Sequence, residues 1–248
     1  MAWLKHLYEL SRAKSADAGV TIPAFDEFWQ AGMAEAEGKT REPVLLAAFR
    51  ADPDKHPLKT PSGKIEIFSE KIASFGYDDC PGHATWLEPI EWLGSKTAER
   101  YPLHMLSDQP TDKLHSQLDH SPHAKATKVK GRQPITLHPD DAKARGLTDG
   151  DLVRVFNDRG ACLAAVRTSD RIRRGVVRLS TGAWFDPEDS GSNRPLEKHG
   201  NPNALTLDIG ASKLSQGCIA QTCLVEIERF DGPAPPVTAH QPPVIVER

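Results

Sequence analysis

Cysteine is scarce in this chain of 248 residues, and the four that occur do not form a metal-binding pattern. Cys80, Cys162, Cys218 and Cys223 include no Cys-x-x-Cys pair, which argues against a zinc or iron–sulfur site built from them. A few unpaired cysteines are typical of a protein kept in a reducing compartment. Cys162 falls in an apolar segment and is expected to be a small core residue.

Basic charge and long apolar runs are also missing. The formal net charge is -3, so no basic field indicates nucleic acid or an anionic membrane as a partner. No segment approaches the roughly 18 apolar residues that a membrane-spanning helix needs. The first residues form an amphipathic segment rather than a signal peptide. We therefore expect a soluble, cytoplasmic chain with no membrane span.

Proline and glycine, by contrast, are common, with 20 and 18 residues, and they divide the chain into short elements. Apolar and polar residues alternate over residues 103–106, which predicts a strand. Asp108 and Pro110 then favour a turn, and the residues up to 118 are rich in hydrogen-bonding side chains. Polar loops at strand ends often carry binding groups, although a plain solvated turn has a similar composition.

The N-terminal part reads as helical with one short strand. An apolar stripe predicts a helix over residues 2–15, and Phe25 begins a second helix that ends at Gly32. A turn over residues 59–63 precedes a predicted strand at 64–69, in which Ile65 and Ile67 share one face. Ser69 is suited to cap a following helix over residues 70–75.

The remainder reads as a small β-barrel. Strands are predicted at residues 134–137, 152–156, 161–166 and 175–180. A short helix follows His138, with Pro139 at its first position and acidic residues in its first turn. Residues 157–160 form a tight turn, so the two strands beside it are expected to pair as a hairpin. Short strands separated by tight turns are typical of barrels.

The polar loop resembles one in the molybdopterin enzymes of the dimethyl sulfoxide reductase family. There the pattern His-Pro-x-x-Arg-Leu-His-Ser-Gln lies against the pterin dinucleotide. Here residues 109–117 read Gln-Pro-Thr-Asp-Lys-Leu-His-Ser-Gln, with Gln109 in place of the first His and Lys113 in place of the Arg. Further segments resemble the same family, and they lie at residues 60–70, 141–160, 182–187, 200–208 and 213–222.

The resemblance implies a mainly β fold, a double-psi β-barrel, with an α+β segment before it. Residues 1–95 would be the end of a preceding molybdopterin oxidoreductase domain, and residues 96–230 the dinucleotide-binding barrel. Residues 231–248 form a Pro-rich tail that is expected to be weakly ordered.

The resemblance also implies which residues contact the cofactor. They are Ser107, Asp108, Gln109, Pro110, Lys113, His115, Ser116, Gln117, Asn203, Ala220 and Gln221. From the residues alone, Asn203 could equally be a turn former, and Gln221 could simply satisfy a buried backbone group. Trp184 could be either a core residue or part of the cofactor environment. A metal site at His115, His120 and His123 is disfavoured, because the spacing does not match a ligand motif.

By resemblance, the chain corresponds to the C-terminal third of a reductase of biotin sulfoxide, trimethylamine N-oxide or dimethyl sulfoxide type. In that family the Ser, Cys or selenocysteine that binds molybdenum lies in earlier domains, so no catalytic residue and no metal ligand is assigned here. The chain would bind molybdenum bis(molybdopterin guanine dinucleotide) only in part. Its partners would be N-terminal catalytic domains, from the same or an adjacent gene, and a small-molecule oxide.

Two alternatives remain open from the sequence. The chain could be a separate subunit that binds the cofactor without catalysing a reaction, or a degenerate fragment with no ligand. An adjacent reading frame that encodes the missing domains would support a reductase. A periplasmic location would follow if that missing part carried an export signal.

Overall fold

A computed structural model describes residues 1–38, 42–188, 191–242 and 245, and the chain divides into two compact units, residues 1–66 and 67–248. Within the described residues, no helix combines the length and the apolar character needed to cross a membrane. The first unit contains α1 (Ala2–Asp17), β1 (Val20–Thr21), α2 (Phe25–Ala31), β2 (Glu37–Gly38) and α3 (Ala47–Ala51). The two helices predicted here, α1 and α2, are confirmed.

The first unit is held together by aromatic packing. Phe25 is buried, and its ring packs against those of Tyr8 and Trp29. The Tyr8 hydroxyl donates a hydrogen bond to the Pro23 carbonyl at 2.9 Å. None of the residues of α1 is fully buried, and the apolar stripe that includes Trp3 faces solvent within this unit.

The strand predicted at residues 64–69 is wrong. The preceding turn is confirmed, with Gly63 at a φ of +68°. The turn extends to residue 64, because the Thr60 hydroxyl donates a hydrogen bond to the Lys64 carbonyl at 2.6 Å. A strand needs a neighbour for its backbone groups, and the described residues pair none with this segment. Ile65 and Ile67 are therefore exposed, at 67% and 87%.

The second unit begins with short elements. The helix α4 covers Glu70–Ala73, shorter than predicted, and the Ser69 side chain accepts a hydrogen bond from the Ile72 amide as expected. A 3-10 helix follows at Lys96–Glu99. The rest of this unit is a six-stranded closed barrel with two more helices, α5 (Pro122–Thr127) and α6 (Pro139–Ala144), and a 3-10 helix at Pro202–Ala204.

The barrel confirms the predicted mainly β fold. Its strands are β3 (Leu103–Leu106), β4 (Pro134–Leu137), β5 (Leu152–Phe156), β6 (Ala161–Thr168), β7 (Val176–Leu179) and β8 (Thr222–Arg229). Around the barrel the order is β3-β7-β4-β6-β5-β8. The pairs β3/β7 and β4/β6 are parallel and the others antiparallel. Closure leaves no free sheet edge among these six strands.

The predicted hairpin of β5 and β6 is confirmed, with Phe156 opposite Ala161. Asn157 in the connecting turn is buried, and its side-chain amide donates to the carbonyls of Leu205 and Leu224 at 2.9 and 3.0 Å. The core is filled by alternate residues of β3, β5 and β6, including the predicted core residue Cys162.

Candidate functional site

The site is formed mainly by two loops that leave the same end of the barrel. Because β3 and β7 are parallel, the loops that follow them, residues 107–118 and 180–187, emerge side by side. Asp108 joins them: its carboxylate accepts a hydrogen bond from the Ser180 hydroxyl at 2.6 Å, and its carbonyl accepts one from the Thr181 amide at 2.9 Å. The strand predicted at 103–106 therefore positions the polar loop as expected.

A cleft of about 600 Å³ lies between these loops and a third loop near residue 200. Its lining combines hydrogen-bonding side chains, small residues and two aromatic rings. The lining residues are His115, Ser116, Thr181, Gly182, Ala183, Trp184, Phe185, Asn201 and Asn203.

The two long loops meet at Gly182. This residue has a φ of +97°, and a Cβ placed there would lie 1.8 Å from the His115 carbonyl oxygen. Only glycine fits such a close approach at a positive φ. His115 itself has a φ of 51°, and the Trp184 indole donates to the Ser116 carbonyl at 2.7 Å. Backbone contacts of this kind fix the shape of the cleft.

A buried carboxylate shapes the third loop. Glu197 is fully buried, and its two oxygens accept four backbone N–H groups, from Asp186, His199, Gly200 and Asn201, at 2.7 to 3.2 Å. Burial raises the pKa of Glu197, although these hydrogen bonds oppose the rise. The loop that carries Asn201 into the cleft is therefore wrapped around one acidic side chain.

Asn201 connects the loop around Glu197 to the cleft through two hydrogen bonds of its side chain. Its side-chain oxygen accepts from the Asn203 amide at 2.9 Å, and its side-chain nitrogen donates to the Ala183 carbonyl at 2.9 Å. Asn203 remains exposed at the start of the 3-10 helix. The backbone of Asn203 is thus held beside the cleft, and its exposed side chain lines it.

A buried ionic cluster around Asp119 supports Trp184. Asp119 Oδ1 accepts hydrogen bonds from the buried ammonium groups of Lys113 and Lys128 at 2.8 and 2.9 Å. Oδ2 accepts from the Trp184 amide at 3.2 Å and from His240 Nε2 at 2.9 Å. Burial alone would raise the pKa of Asp119, but the hydrogen bonds from Lys113, Lys128 and His240 outweigh it and hold the pKa well below its ordinary value.

His199 adds a neutral imidazole to this cluster. Its Nδ1 lies 2.9 Å from the Trp184 carbonyl oxygen, which can only accept, so Nδ1 carries the proton. Burial, followed by the charge of Lys128, lowers the pKa of His199 to about 4. The ring is therefore neutral at pH 7, and its buried Nε2 has no hydrogen-bond partner among the described residues.

Asp119, His199 and His240 also place one possible metal-ligand atom each within 4.8 Å of one another. A divalent cation there would face the two ammonium groups that already neutralise Asp119, which disfavours it electrostatically. We interpret the group as an ion-pair network. The three histidines weighed from the sequence are separate: His115 lines the cleft, the His120 ring lies 5.4 Å from that of Trp184, and His123 is exposed on α5.

The structure brings together some of the residues predicted to contact the cofactor. His115, Ser116 and Asn203 line one cleft, although Asn203 is far from the others in sequence. Gln109 reaches its edge, with its side-chain amide 3.1 Å from His115 Nδ1. Lys113 does not line the cleft. Its buried ammonium group donates hydrogen bonds to Asp119 and, at 3.1 Å, to Gln133 Oε1.

The other predicted residues lie elsewhere. Asp108, Gln109 and Pro110 line a neighbouring recess of about 110 Å³. The Ser107 amide donates to the Gln221 carbonyl at 2.8 Å, and the pair Ala220 and Gln221 lies immediately before the start of β8 rather than in the cleft. Gln117 is exposed in a turn closed by its amide and the Leu114 carbonyl. Gln117 and Gln221 are not among the lining residues, so the cleft contains only some of the residues predicted to contact the cofactor.

Five of the nine residues that line the cleft were not predicted from the sequence to contact the cofactor. They are Thr181, Gly182, Ala183, Phe185 and Asn201. Two signals could have identified them: Asn201 belongs to the same Asn-Pro-Asn turn as Asn203, and Gly182 precedes an exposed aromatic pair. The buried cluster around Asp119 has no local signal, because its members come from distant parts of the chain.

Comparisons with known proteins show which family the domain that carries this cleft matches. The family described as "Molydopterin dinucleotide binding domain" matches residues 103–224, which contain five of the barrel strands, the first three residues of β8 and every residue of the cleft. Residues 103–224 are a molydopterin dinucleotide binding domain. The polar cleft thus belongs to a domain family named for binding that type of cofactor.

Relatives of the dinucleotide binding domain and its flanking segments are reductases. The chain is 44% identical over its whole length to a dimethyl sulfoxide/trimethylamine N-oxide reductase from Rhodobacter capsulatus, of which it covers 30%. It is 47% identical over 94% of its length to a biotin sulfoxide reductase from Cereibacter sphaeroides, covering 31%. A trimethylamine-N-oxide reductase from Salmonella typhimurium is 46% identical over 98%, with 29% covered. The chain therefore spans about 30% of the length of these curated relatives.

A solved structure supports the fold. Acetylene hydratase from Pelobacter acetylenicus matches 84% of the chain with a TM-score of 0.59 and 19% sequence identity, over 28% of its own length. At this identity the match concerns the fold alone. The dimethyl sulfoxide reductase family resemblance and the barrel predicted from the sequence are both confirmed.

Proposed function

We propose that this chain forms one wall of the pocket for a molybdenum-bound molybdopterin guanine dinucleotide in a reductase of S-oxides or N-oxides. The observation that carries the proposal is the cleft lined by His115, Ser116 and Asn203, within a domain family named for dinucleotide binding. The relatives' names supply the substrate class: dimethyl sulfoxide, trimethylamine N-oxide or biotin sulfoxide.

The residues present fit such a cofactor. A pterin is a flat heterocycle with polar edges, and it needs side chains that both donate and accept hydrogen bonds. The imidazole of His115, the hydroxyl of Ser116 and the side-chain amide of Asn203 provide both, and Trp184 adds an apolar face. The volume of about 600 Å³ lies within the range of small-molecule sites, about 300–1,000 Å³. It would hold part of a dinucleotide cofactor.

The electrostatics of the cleft also favour an anionic ligand. Lys113 and Lys128 place two buried ammonium groups on the single carboxylate of Asp119. The cluster next to the cleft thus carries more positive than negative charge, and a diphosphate would be attracted to this side of the domain. Oxygen-atom transfer is chemistry that the bound metal cofactor supplies. The chain's own residues orient the cofactor and exclude water from one side of it.

Residues 1–95 would belong to a preceding domain, and N-terminal catalytic domains would complete the pocket. Most of the large exposed apolar side chains lie in this part, among them Trp3, Leu45, Ile67 and Trp86. Apolar surface on this scale is typical of an interface. The relatives are longer than this chain, and the part of them that it does not cover is the candidate partner for this surface.

The proposal is tested by co-expressing the chain with the missing part of a related reductase and measuring molybdopterin per purified complex. We expect Asn203→Ala and His115→Ala each to lower cofactor content about tenfold or more, because pterin polar groups would be left unpaired. His123→Ala, which changes an exposed histidine on α5, is the matched control and should leave the content unchanged. Equal cofactor content in all four complexes would contradict the proposed site.

A further inference from the structure

A segment beyond the matched family range lies against the wall of the cleft. Residues 235–241, called here the C-terminal strap, were expected to be weakly ordered, but they make specific contacts with the barrel domain. The Thr238 amide and hydroxyl both donate to the Asp186 carboxylate at 2.6 Å. Lys198 in turn donates to the Thr238 hydroxyl at 3.1 Å and pairs with Asp186 at 3.2 Å.

The strap is also fixed at both of its ends. The Pro235 carbonyl accepts a hydrogen bond from the buried Arg132 guanidinium at 2.5 Å. At the other end, His240 Nε2 donates to Asp119 Oδ2 at 2.9 Å. The same oxygen accepts the Trp184 amide, and the His240 ring stands edge-on to the Trp184 ring at 5.3 Å.

These contacts converge on a cleft loop that lacks regular secondary structure. Residues 181–187 contain no helix and no strand, yet five of them line the cleft. Asp186 and Trp184, which lie within this loop on either side of Phe185, are the residues that the strap holds. A loop without a backbone ladder depends on such side-chain contacts for its conformation.

We propose that the C-terminal strap positions the aromatic wall of the cleft, with His240 and Thr238 as positioning residues that act through Trp184 and Asp186. The inference rests on the proposed function only for the identity of the ligand. The ordering of residues 181–187 by the strap is a property of the chain itself.

Hydrogen exchange of the whole chain, followed by mass spectrometry, tests this ordering directly. In His240→Ala and in Thr238→Ala, we expect backbone amides of residues 181–187 to exchange roughly tenfold faster, while β5 and β6 exchange as before. His240→Gln should restore slow exchange, because its side-chain amide can donate to Asp119 in place of Nε2. His123→Ala is the matched control.

Two outcomes would overturn the proposal: unchanged exchange at residues 181–187 in both alanine variants, or an equal increase across all barrel strands. Cofactor content of the co-expressed complex provides the second readout, and it should fall in His240→Ala but not in His123→Ala. If the unmodified complex holds no molybdopterin, the proposed function fails while the exchange result still decides the role of the strap.

Discussion

At the scale of single residues, the site depends on buried charge that no solvent screens. Asp119 is paired with two ammonium groups, Glu197 with four backbone amides, and His199 is held neutral. Removing one partner from such a group exposes the other to the full cost of an unsatisfied buried polar atom. The sequence could not predict these pairs, since Asp119 and His240 are separated by most of the barrel and no spacing rule connects them.

His199 gives a pH dependence with a defined sign. The pKa of His199 is lowered from 6.5 to about 4 in the folded chain, so between these values the unfolded chain binds one more proton. Stability therefore falls as the pH decreases through this window, by up to about 3 kcal/mol from this residue. Urea unfolding at pH 7 and at pH 4.5 measures the loss.

His199→Gln is the control for this prediction, because it removes the titrating group while keeping a polar side chain. Whatever its stability at pH 7, it should lose markedly less between pH 7 and 4.5. The lowered pKa of Asp119 makes stability depend on pH only near the ordinary pKa of an aspartate and below it, at about pH 4 and lower. The same pH slope in both proteins would contradict the assignment to His199.

At the scale of elements, local signals and tertiary contacts were unequally predictable. Five of the six barrel strands, the hairpin around Asn157 and the Ser69 cap follow from local patterns and are present, whereas β8 was not predicted. Residues 64–69 carry an equally good alternating pattern, but without a neighbouring strand they stay irregular. The strap shows the reverse case: its proline-rich sequence indicates weak order, and hydrogen bonds to Asp186 and Asp119 override that tendency.

The contact between the two cleft loops gives a prediction at this scale. Gly182→Ala should destabilise the domain by about 3 kcal/mol or more, because a Cβ would lie 1.8 Å from the His115 carbonyl oxygen at a positive φ. Gly150→Ala is the matched control. Its φ is +82° but nothing lies within 4 Å of the added Cβ, so it should cost only about 1 kcal/mol. Similar midpoints for the two variants in thermal unfolding would show that the loops do not meet at Gly182.

At the scale of the whole molecule, the proposed function implies that the chain presents only part of a site. The barrel supplies one polar cleft and an electropositive cluster, and most of the large exposed apolar side chains lie in residues 1–95. The chain covers about 30% of each reductase relative. The family resemblance predicts this organisation from the sequence, because it depends on long motifs rather than on particular contacts. Which of the predicted residues line the cleft could be determined only from the structure.

The most direct test compares molybdenum content and reductase turnover of the purified chain alone with those of the complex co-expressed with the missing part of a relative. Both samples are assayed with dimethyl sulfoxide, trimethylamine N-oxide and biotin sulfoxide. Because a cofactor bound at one wall is only partly buried and weakly held, we predict negligible molybdenum and no turnover for the chain alone. In the complex, both should appear together. Stoichiometric molybdenum and turnover in the chain alone would contradict the account.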